Sequence, residues 1–455
     1  MAARRHRSDV VVIGAGLSGL AAALHLEAHG ARVEVLEAQD RVGGRVHSMR
    51  GPGPRREAGG AYIGAGYRRV IGAAERLGVD LVDVTSMLSF FREQELVLDG
   101  ELIRQSQWPD HPRNPFPERD RSLMPWTCHR VLAVRENPLS TPGEWLAPEM
   151  AGHDIPVHQW LAGLGYGERA IRLGYGLNPS FGDEAREASA LLGFFRAAFS
   201  VAQRRLAPAG VLGYTACDGV QRIPEAMAGA LPREVRLGRS VTAIGWGRSG
   251  AEVRCADGSE YAAPHVVCSV PFSVLRGIAV EPPFPERQAE AIRSLSAQPV
   301  TQVYFAHRSR FWEGDGHSPS MFTDGPAGMV AAARDGEDPE EVTSFTAWAM
   351  GRNARRLDAL PTAEAGRVVR EAVEAVRPAA KDQLELVGVK SWGRDPFARG
   401  GWAFFKPGEI NRFASEMGRP HGPIRLCGEH LARDARGMEG AMESGERAAR
   451  DILSA

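Results

Sequence analysis

The chain has 455 residues, a formal net charge of −1 and a hydrophobic content of 43%. A chain of this length can form at most about three domains with a sizeable core, and its near-neutral charge gives no indication of nucleic acid as a partner. No apolar run reaches the roughly 18 residues that a membrane span requires, so no membrane association is expected.

Three residue types are informative through their number and spacing. The five cysteines lie far apart without a Cys-x-x-Cys pair, which predicts neither a zinc site nor a disulfide framework and fits a reducing compartment. The histidines show no metal-binding spacing either, and no metal centre is predicted. The 55 basic residues include only three lysines, Lys381, Lys390 and Lys406, which leaves 52 arginines. A lysine-based mechanism therefore has three candidates at most.

The first fifty residues predict a strand, a helix and a second strand. Val10 to Ile13 is a continuous apolar run, typical of a strand buried on both faces. A helical pattern follows from Leu20 to His29, and Gly30 is placed to end it. The second strand covers residues 32–36. Glycines interrupt the apolar N-terminal region and no cleavage site follows, so we expect a cytoplasmic protein without a signal peptide.

The segment between strand and helix, Gly14-Ala-Gly16-Leu-Ser-Gly19, has the spacing of a dinucleotide-binding turn. Gly14 allows the tight turn, Gly16 lets the backbone approach a pyrophosphate, and Gly19 lets helix and strand pack closely. Glu37 follows the second strand, 18 residues after Gly19. Its carboxylate can accept hydrogen bonds from ribose hydroxyls, and it disfavours a ribose 2′-phosphate.

Two further segments, residues 41–45 (Arg-Val-Gly-Gly-Arg) and 57–63 (Glu-Ala-Gly-Gly-Ala-Tyr-Ile), extend this pattern. With them the chain resembles the flavin-containing amine oxidase superfamily, which includes monoamine and polyamine oxidases. The resemblance implies an FAD cofactor, with Arg45 on the diphosphate side and Gly59 to Tyr62 at the flavin edge. Paired glycines let a backbone lie against a planar ring, and an arginine offsets phosphate charge.

Further elements are predicted along the middle of the chain. The proline-rich stretch 108–148 also carries tryptophans, which favours an ordered loop region over a linker. Helices are predicted around residues 185–204, 218–231 and 362–377, and strands at 235–237, 241–246, 251–255, 266–271 and 302–306. By resemblance the fold is an α/β architecture of two domains. A Rossmann-like FAD domain takes residues 1–84, 206–284 and 391–455, and an interleaved substrate domain of mixed sheet and helices takes 85–205 and 285–390.

The C-terminal segments 425–430 and 437–449 match the family's last strand and helix. By resemblance Val241 contacts the adenine, Glu429 the ribityl chain, and Met438 the flavin O2 side. A helix N-terminus there would stabilise negative charge on the reduced ring. The residues assigned in this way to FAD are Gly14, Ala15, Gly16, Ser18, Gly19, Glu37, Ala38, Arg41, Gly44, Arg45, Gly59, Gly60, Ala61, Tyr62, Val241, Gly428, Glu429, Gly437, Met438 and Ala441.

Four residues are candidates for catalysis by the same resemblance: Gln302, Trp402, Gly437 and Tyr62. Many relatives place a lysine nine residues before a Phe-Trp pair, where it holds a water near flavin N5. Here that position is Gln302, which can hold a water but supplies no charge. Since the reduction of oxygen is assisted by positive charge, we expect slow reoxidation, or an electron acceptor other than oxygen.

The amine-orienting aromatic cage of monoamine oxidases is half present. Trp402 stands at one wall, and Gly437 stands where the other aromatic residue is expected. The open wall should admit a bulkier substrate or remove a cation–π contact of roughly 0.5–2 kcal/mol. Gly401 replaces the cysteine that links covalently to FAD in monoamine oxidases, so noncovalent FAD is predicted.

The resemblance predicts flavin-dependent oxidation of a fairly large primary or secondary amine to an imine. Ile63 stands where L-amino-acid oxidases have a carboxylate-binding arginine, which makes an α-amino acid less favoured, although another arginine could substitute. Two alternatives stay open: a desaturase acting on a carbon–carbon unit, and a catalytically idle flavin-binding protein. A homodimer is also left open. No hydrophobic tail follows Ala455, and we expect no membrane anchor.

Overall fold

The computed structural model describes residues 6–51, 56–90, 94–334, 338 and 341–455. Its strands are β1 His6–Arg7, β2 Val10–Ile13, β3 Val33–Leu36, β4 His47–Met49, β5 Arg56–Gly59, β6 Ile63–Gly64, β7 Leu81–Asp83, β8 Glu95–Leu98, β9 Glu101–Ile103, β10 Gly213–Ala216, β11 Val241–Gly247, β12 Gly250–Cys255, β13 Glu260–Ala263, β14 His265–Cys268, β15 Ala279–Glu281, β16 Ser296–Ala297, β17 Val300–His307, β18 Met321–Thr323, β19 Met329–Ala333, β20 Ser344–Met350, β21 Leu384–Ser391, β22 Ala403–Phe404 and β23 Ile424–Leu426. Its α-helices are α1 Leu17–Ala28, α2 Arg68–Arg76, α3 Thr85–Phe90, α4 Cys128–Arg135, α5 Val157–Gly163, α6 Glu168–Gly176, α7 Ala190–Leu206, α8 Arg222–Gly229, α9 Phe272–Leu275, α10 Glu286–Ser294, α11 Phe311–Asp315, α12 Arg352–Asp358, α13 Thr362–Val376 and α14 Gly437–Leu453.

A four-stranded parallel sheet of order β23-β14-β2-β3 forms one half of the molecule and carries the glycine turn. Every residue of β2 and β3 is buried, as expected for strands with helices on both faces. Helices α1 and α14 pack closely, because Gly445 has no side chain: a Cβ there would lie 2.1 Å from the backbone oxygen of Ser18. This contact brings the two ends of the chain to one site.

A seven-stranded sheet of order β21-β17-β20-β19-β18-β8-β9 forms the second half. Its pairs are antiparallel except β18 with β8. A separate apolar core lies between this sheet and helices α12 and α13, including Val303, Phe345, Leu357 and Val369. The opposite face is therefore free to form a wall of the site.

The proline-rich stretch is ordered, as predicted. It folds into short 3₁₀ turns and helix α4, with Trp108 completely buried. Trp145 stacks on Phe195 at 4.6 Å between ring centroids and donates its indole N–H to the carbonyl of Arg433. These contacts attach the stretch to α7 and to the C-terminal segment.

Several predicted boundaries differ from the structure. Helix α1 begins at Leu17 rather than Leu20, because Gly16 is the N-cap and Ser18 and Gly19 already lie in the helix. Residues 235–237 were expected to form a strand but contribute only a single bridge from Arg236 to Leu36. Beyond Arg236, the backbone N–H groups of Gly238 and Arg239 donate to the carbonyls of Gln39 and Glu37, which lie past the end of β3, so no further strand is added at this edge.

Candidate active site

A cavity of about 860 Å³ opens between the parallel sheet and the seven-stranded sheet. Gly14, at the carboxyl end of β2, lies on its wall, and so do Val300, Trp348 and Met350 of the seven-stranded sheet. A ligand in it would touch both halves of the molecule. Ligands of α/β proteins bind at this carboxyl edge of parallel strands.

The glycine turn forms one end of the cavity. Gly14 has φ +98°, and a Cβ there would lie 2.4 Å from Ser269 Oγ. A Cβ on Gly19 would lie 2.0 Å from the oxygen of Gly14, whereas a Cβ on Gly16 would meet only the oxygen of Gly43 at 4.0 Å. The turn therefore leaves the N-terminus of α1 open to the cavity, as diphosphate binding requires.

Glu37 lies beside this turn and also lines the cavity. Its carboxylate accepts hydrogen bonds from the backbone N–H groups of Ala15 at 2.8 Å and Gln39 at 2.9 Å. Burial raises the pKa of Glu37, and the backbone donors partly oppose that shift. The side chain is thereby fixed at the end of β3, where a ribose would lie.

Arg45 joins three distant segments. Its Nη1 donates to the carbonyl of Gly401 at 2.9 Å and to the Glu429 carboxylate at 3.1 Å. Burial by itself would raise the pKa of Glu429, but the charge of Arg45 and other neighbours holds that pKa below its ordinary value. The Glu429 carboxylate on the cavity wall therefore stays charged at neutral pH.

The start of α14 faces residues 59–62 across the cavity. Gly437 has φ +57°, and a Cβ built on it would meet no heavy atom within 4 Å. A Cβ on Gly60 would lie 3.0 Å from Met438 Sδ, so these two segments approach closely. Backbone from both segments therefore bounds this part of the cavity.

Aromatic side chains complete the wall. Trp402 donates its indole N–H to the carbonyl of Ser180 at 3.0 Å, and Trp392 donates to the carbonyl of Ala58 at 2.8 Å. Both rings line the cavity. Their hydrogen bonds fix the ring planes, so the apolar faces are presented to a ligand.

A family model described as flavin containing amine oxidoreductase matches residues 17–453. The chain belongs to this family. It is 27% identical over 471 residues to amine oxidase B of Homo sapiens, covering 99% of this chain and 87% of that protein. It is also 27% identical over 465 residues to an amine oxidase of Danio rerio, covering 98% of this chain and 86% of the relative.

Solved structures of amine oxidases have the same two-domain fold. Wild-type putrescine oxidase bound to putrescine aligns with a TM-score of 0.77 and 26% identity, covering 99% of this chain and all of that one. Cyclohexylamine oxidase from Brevibacterium oxydans aligns with a TM-score of 0.78 at 24% identity, covering 98% and 99% of the two chains, a likeness that concerns the fold. The family membership supports FAD-dependent oxidation of an amine and makes the protein an oxidoreductase.

The glycine turn, the fixed carboxylate and the open helix N-terminus fit FAD, the cofactor of this amine oxidoreductase family. The cavity wall includes most of the residues that the sequence assigned to FAD or to catalysis: Gly14, Gly16, Ser18, Glu37, Ala38, Gly44, Arg45, Gly59, Gly60, Tyr62, Val241, Trp402, Glu429, Gly437, Met438 and Ala441. Those that lie behind the wall are Ala15, Gly19, Arg41, Ala61, Gln302 and Gly428. Ala15 and Gly19 hold Glu37 and the glycine turn in place through the contacts described above.

Gln302 is completely buried in β17, behind the cavity wall. Its amide donates to the carbonyl of Glu57 at 3.4 Å, and its Oε1 has no hydrogen-bond partner within the described residues. Lys390, its partner across the sheet, forms an ion pair with Asp395 at 2.6 Å and lies over the Trp392 ring. Neither Lys390 nor Lys406 lines the cavity.

Sequence reasoning missed three arginines on the cavity wall, Arg130, Arg196 and Arg436. They come from α4, from α7 and from the N-cap of α14. With 52 arginines in the chain, no local pattern distinguishes these three. Only the fold brings them together.

Proposed function

We propose that this enzyme oxidises an amine at the part of the cavity bounded by Trp402 and Gly437. The observation that carries the proposal is the continuity of the cavity, which joins the glycine turn and Glu37 to Trp402 without a break. FAD, when bound, accepts the hydride equivalent removed from the carbon that bears the neutral amine.

The residues that would hold FAD follow from their chemistry. The N–H groups at the start of α1 and the Arg45 guanidinium suit the diphosphate, and Glu37 suits the adenosine ribose. Glu429, fixed by Arg45 and by the N–H of Ala403 at 2.8 Å, suits a ribityl hydroxyl. The backbone at Gly437 and Met438 suits the ring.

Noncovalent FAD binding is part of this proposal. Gly401 offers no nucleophilic side chain at the position of the family's cysteine link, and its carbonyl is engaged by Arg45. A Cβ on Gly401 would lie 2.9 Å from Val300 Cγ2, so the segment is packed as glycine. Release of intact FAD on acid precipitation is the expected result.

At the substrate end, Trp402 would orient the amine-bearing carbon, and the space in front of Gly437 would admit a large substituent. The apolar walls exclude water, which favours the neutral form of the amine that oxidation requires. Relatives are named for putrescine and for cyclohexylamine, which supports an amine substrate without fixing its size.

We further propose slow reaction with oxygen, since Gln302 brings no charge to the region behind Gly59. The interleaved boundaries 1–84, 206–284 and 391–455 against 85–205 and 285–390 are proposed for the two domains. A cytoplasmic location is supported by the five cysteines, all of which are free.

Anaerobic mixing of the holoenzyme with a panel of amines tests the function. Bleaching of the flavin absorbance, followed by release of an aldehyde or ketone and of ammonia, is the expected result. Bleaching that yields a carbon–carbon double bond and no ammonia would instead assign a desaturase. Absence of bleaching across amines and desaturase substrates would indicate a flavin-binding protein without catalysis.

A further inference from the structure

Three guanidinium groups meet on the substrate side of the cavity. Arg130 lies in α4, Arg196 in α7, and Arg436 directly precedes Gly437. All three residues line the cavity. Arg196 is hydrogen-bonded to the Ser180 hydroxyl, and the carbonyl of that same residue accepts the Trp402 indole N–H. The cluster therefore adjoins the proposed amine site.

None of the three forms an ion pair with any residue that the structure describes, whereas Arg45 has Glu429. Arg436 lies over the rings of Phe181 at 5.0 Å and Phe195 at 5.6 Å. The Nε of Arg130 is buried and has no hydrogen-bond partner in the described part of the chain. Such groups are seldom left unpaired inside a protein.

The charge of Arg196 also repels the charges of Arg130 and Arg436. Burial lowers the pKa of Arg130, and the charge of Arg196 lowers it further. Burial likewise lowers the pKa of Arg436 to about 10, with Glu429 opposing and Arg196 adding to that shift. Burial raises the pKa of Tyr67, on the same wall, and the charges of Arg196 and Arg436 both oppose that rise. An anion placed among the guanidinium groups would relieve this repulsion.

The FAD diphosphate is not that anion. The glycine turn, the N-terminus of α1 and Arg45 form the phosphate end of the cavity, and they belong to other segments. The three arginines instead share their wall with Phe181, Ser180 and Trp402. The anion they fit is thus part of the substrate.

We infer that the substrate carries a carboxylate beside its amine, held by Arg130, Arg196 and Arg436. The inference rests on the proposed function and deepens it. Guanidinium groups bind carboxylates in a planar, two-point geometry, so the cluster would set the orientation of the amine-bearing carbon. It would also repel diamines, whose second ammonium would face three positive charges. Ile63, at the position where amino-acid oxidases carry an arginine, is buried in strand β6 and takes no part.

Binding of a carboxylate that cannot be oxidised tests the site itself. The holoenzyme is titrated with phenylacetate and with neutral phenylacetamide, and binding is read from the change in the flavin spectrum. We expect phenylacetate to bind at least tenfold more tightly. Arg196→Met should abolish the preference, and Arg196→Lys should retain part of it. Arg205→Met, an exposed change in the same helix, should leave it intact. Equal affinity for the two probes in the native enzyme overturns the inference.

Oxidation of matched amines separates this inference from the proposed function. Phenylalanine is expected to bleach the flavin anaerobically with a kcat/KM at least tenfold above that of phenethylamine. If phenethylamine bleaches the flavin as well as phenylalanine does, and phenylacetate binds no more tightly than phenylacetamide, amine oxidation stands and the carboxylate site is wrong. If phenylacetate binds more tightly than phenylacetamide but neither phenylalanine nor phenethylamine bleaches the flavin, the anion site stands and amine oxidation is wrong.

Discussion

At the scale of single residues, we propose that the site differs from its relatives at two positions. Gln302 stands where the resemblance to the family predicts a lysine, and Gly437 stands where it predicts an aromatic residue. The Gln302 amide still reaches the backbone of Glu57, two residues before Gly59. The space before Gly437 is empty of heavy atoms within 4 Å of a built Cβ. Both differences can be reversed by substitution.

Gln302→Lys should accelerate reoxidation of the reduced enzyme by oxygen. A positive charge beside the backbone of Glu57 would stabilise the negative charge that develops as oxygen is reduced. We expect the rate of reoxidation to increase by about tenfold or more. Stopped-flow mixing with air-saturated buffer measures it, with the uncharged Gln302→Met as the control. Fast reoxidation of the native enzyme, unchanged in the lysine variant, would contradict the proposed role.

Gly437→Tyr should narrow the substrate site. The ring has room, but φ +57° at this position costs about 1–2 kcal/mol for a residue with a side chain. Gly437→Ala carries the same backbone cost without filling the site. We expect both variants to lose similar stability in urea, while only the tyrosine variant loses kcat/KM for bulky amines relative to small ones. An equal loss of kcat/KM for bulky amines in both variants would show that the substrate does not occupy the space in front of Gly437.

At the scale of elements, the close packing of α1 against α14 determines the position of the glycine turn. Gly445 permits the approach to Ser18, a residue that itself lines the cavity. The position of α1 relative to β2 depends in the same way on Gly19. Small residues at this crossing thus determine the shape of the diphosphate site.

Gly445→Ala should destabilise the protein by about 1–3 kcal/mol, because its methyl group would overlap the backbone of Ser18. FAD retention during gel filtration should fall with it. Gly193→Ala is the matched control in α7, where a Cβ meets nothing within 4 Å. It should stabilise the helix by about 0.5–1 kcal/mol. Similar effects of the two changes in thermal unfolding would argue against the tight crossing.

At the scale of the whole molecule, acid should weaken the fold through buried histidines. Burial lowers the pKa of His47 and of His430 from 6.5 to about 4. Between pH 6.5 and about pH 4, these two histidines bind protons in the unfolded chain but not in the folded protein. The free energy of unfolding therefore falls as the pH is lowered from about 6.5 to about 4.

His430→Leu should flatten this pH dependence by up to about 1.4 kcal/mol per pH unit, since leucine cannot take up a proton. Urea unfolding at several pH values between 4 and 7 measures the slope. His29→Leu, on an exposed residue, is the control and should change the slope much less, through its effect on the lowered pKa of His25 alone. An unchanged slope in the His430 variant would mean that another group dominates.

The nucleotide-binding half was predictable because its signals are local. Gly14, Gly16 and Gly19 have fixed spacing, and Glu37 follows at a fixed distance. The arginine cluster was not predictable, because Arg130, Arg196 and Arg436 meet only through the packing of α4, α7 and α14. Residues 235–237 have the sequence pattern of a strand, but β3 ends at Leu36, and the chain beyond Arg236 is hydrogen-bonded to residues past that end.

The strand order of the parallel sheet has a consequence for biosynthesis. Strand β2 emerges from the ribosome first, but its neighbour β14 comes more than two hundred residues later and β23 only near the end. Until then, the apolar edge of the nascent sheet has no native partner and is open to aggregation. Since Glu429 and Met438 are also synthesised last, the full set of residues proposed to hold FAD exists only when translation is nearly complete. Slow, chaperone-assisted expression with added riboflavin should therefore raise the yield of holoenzyme.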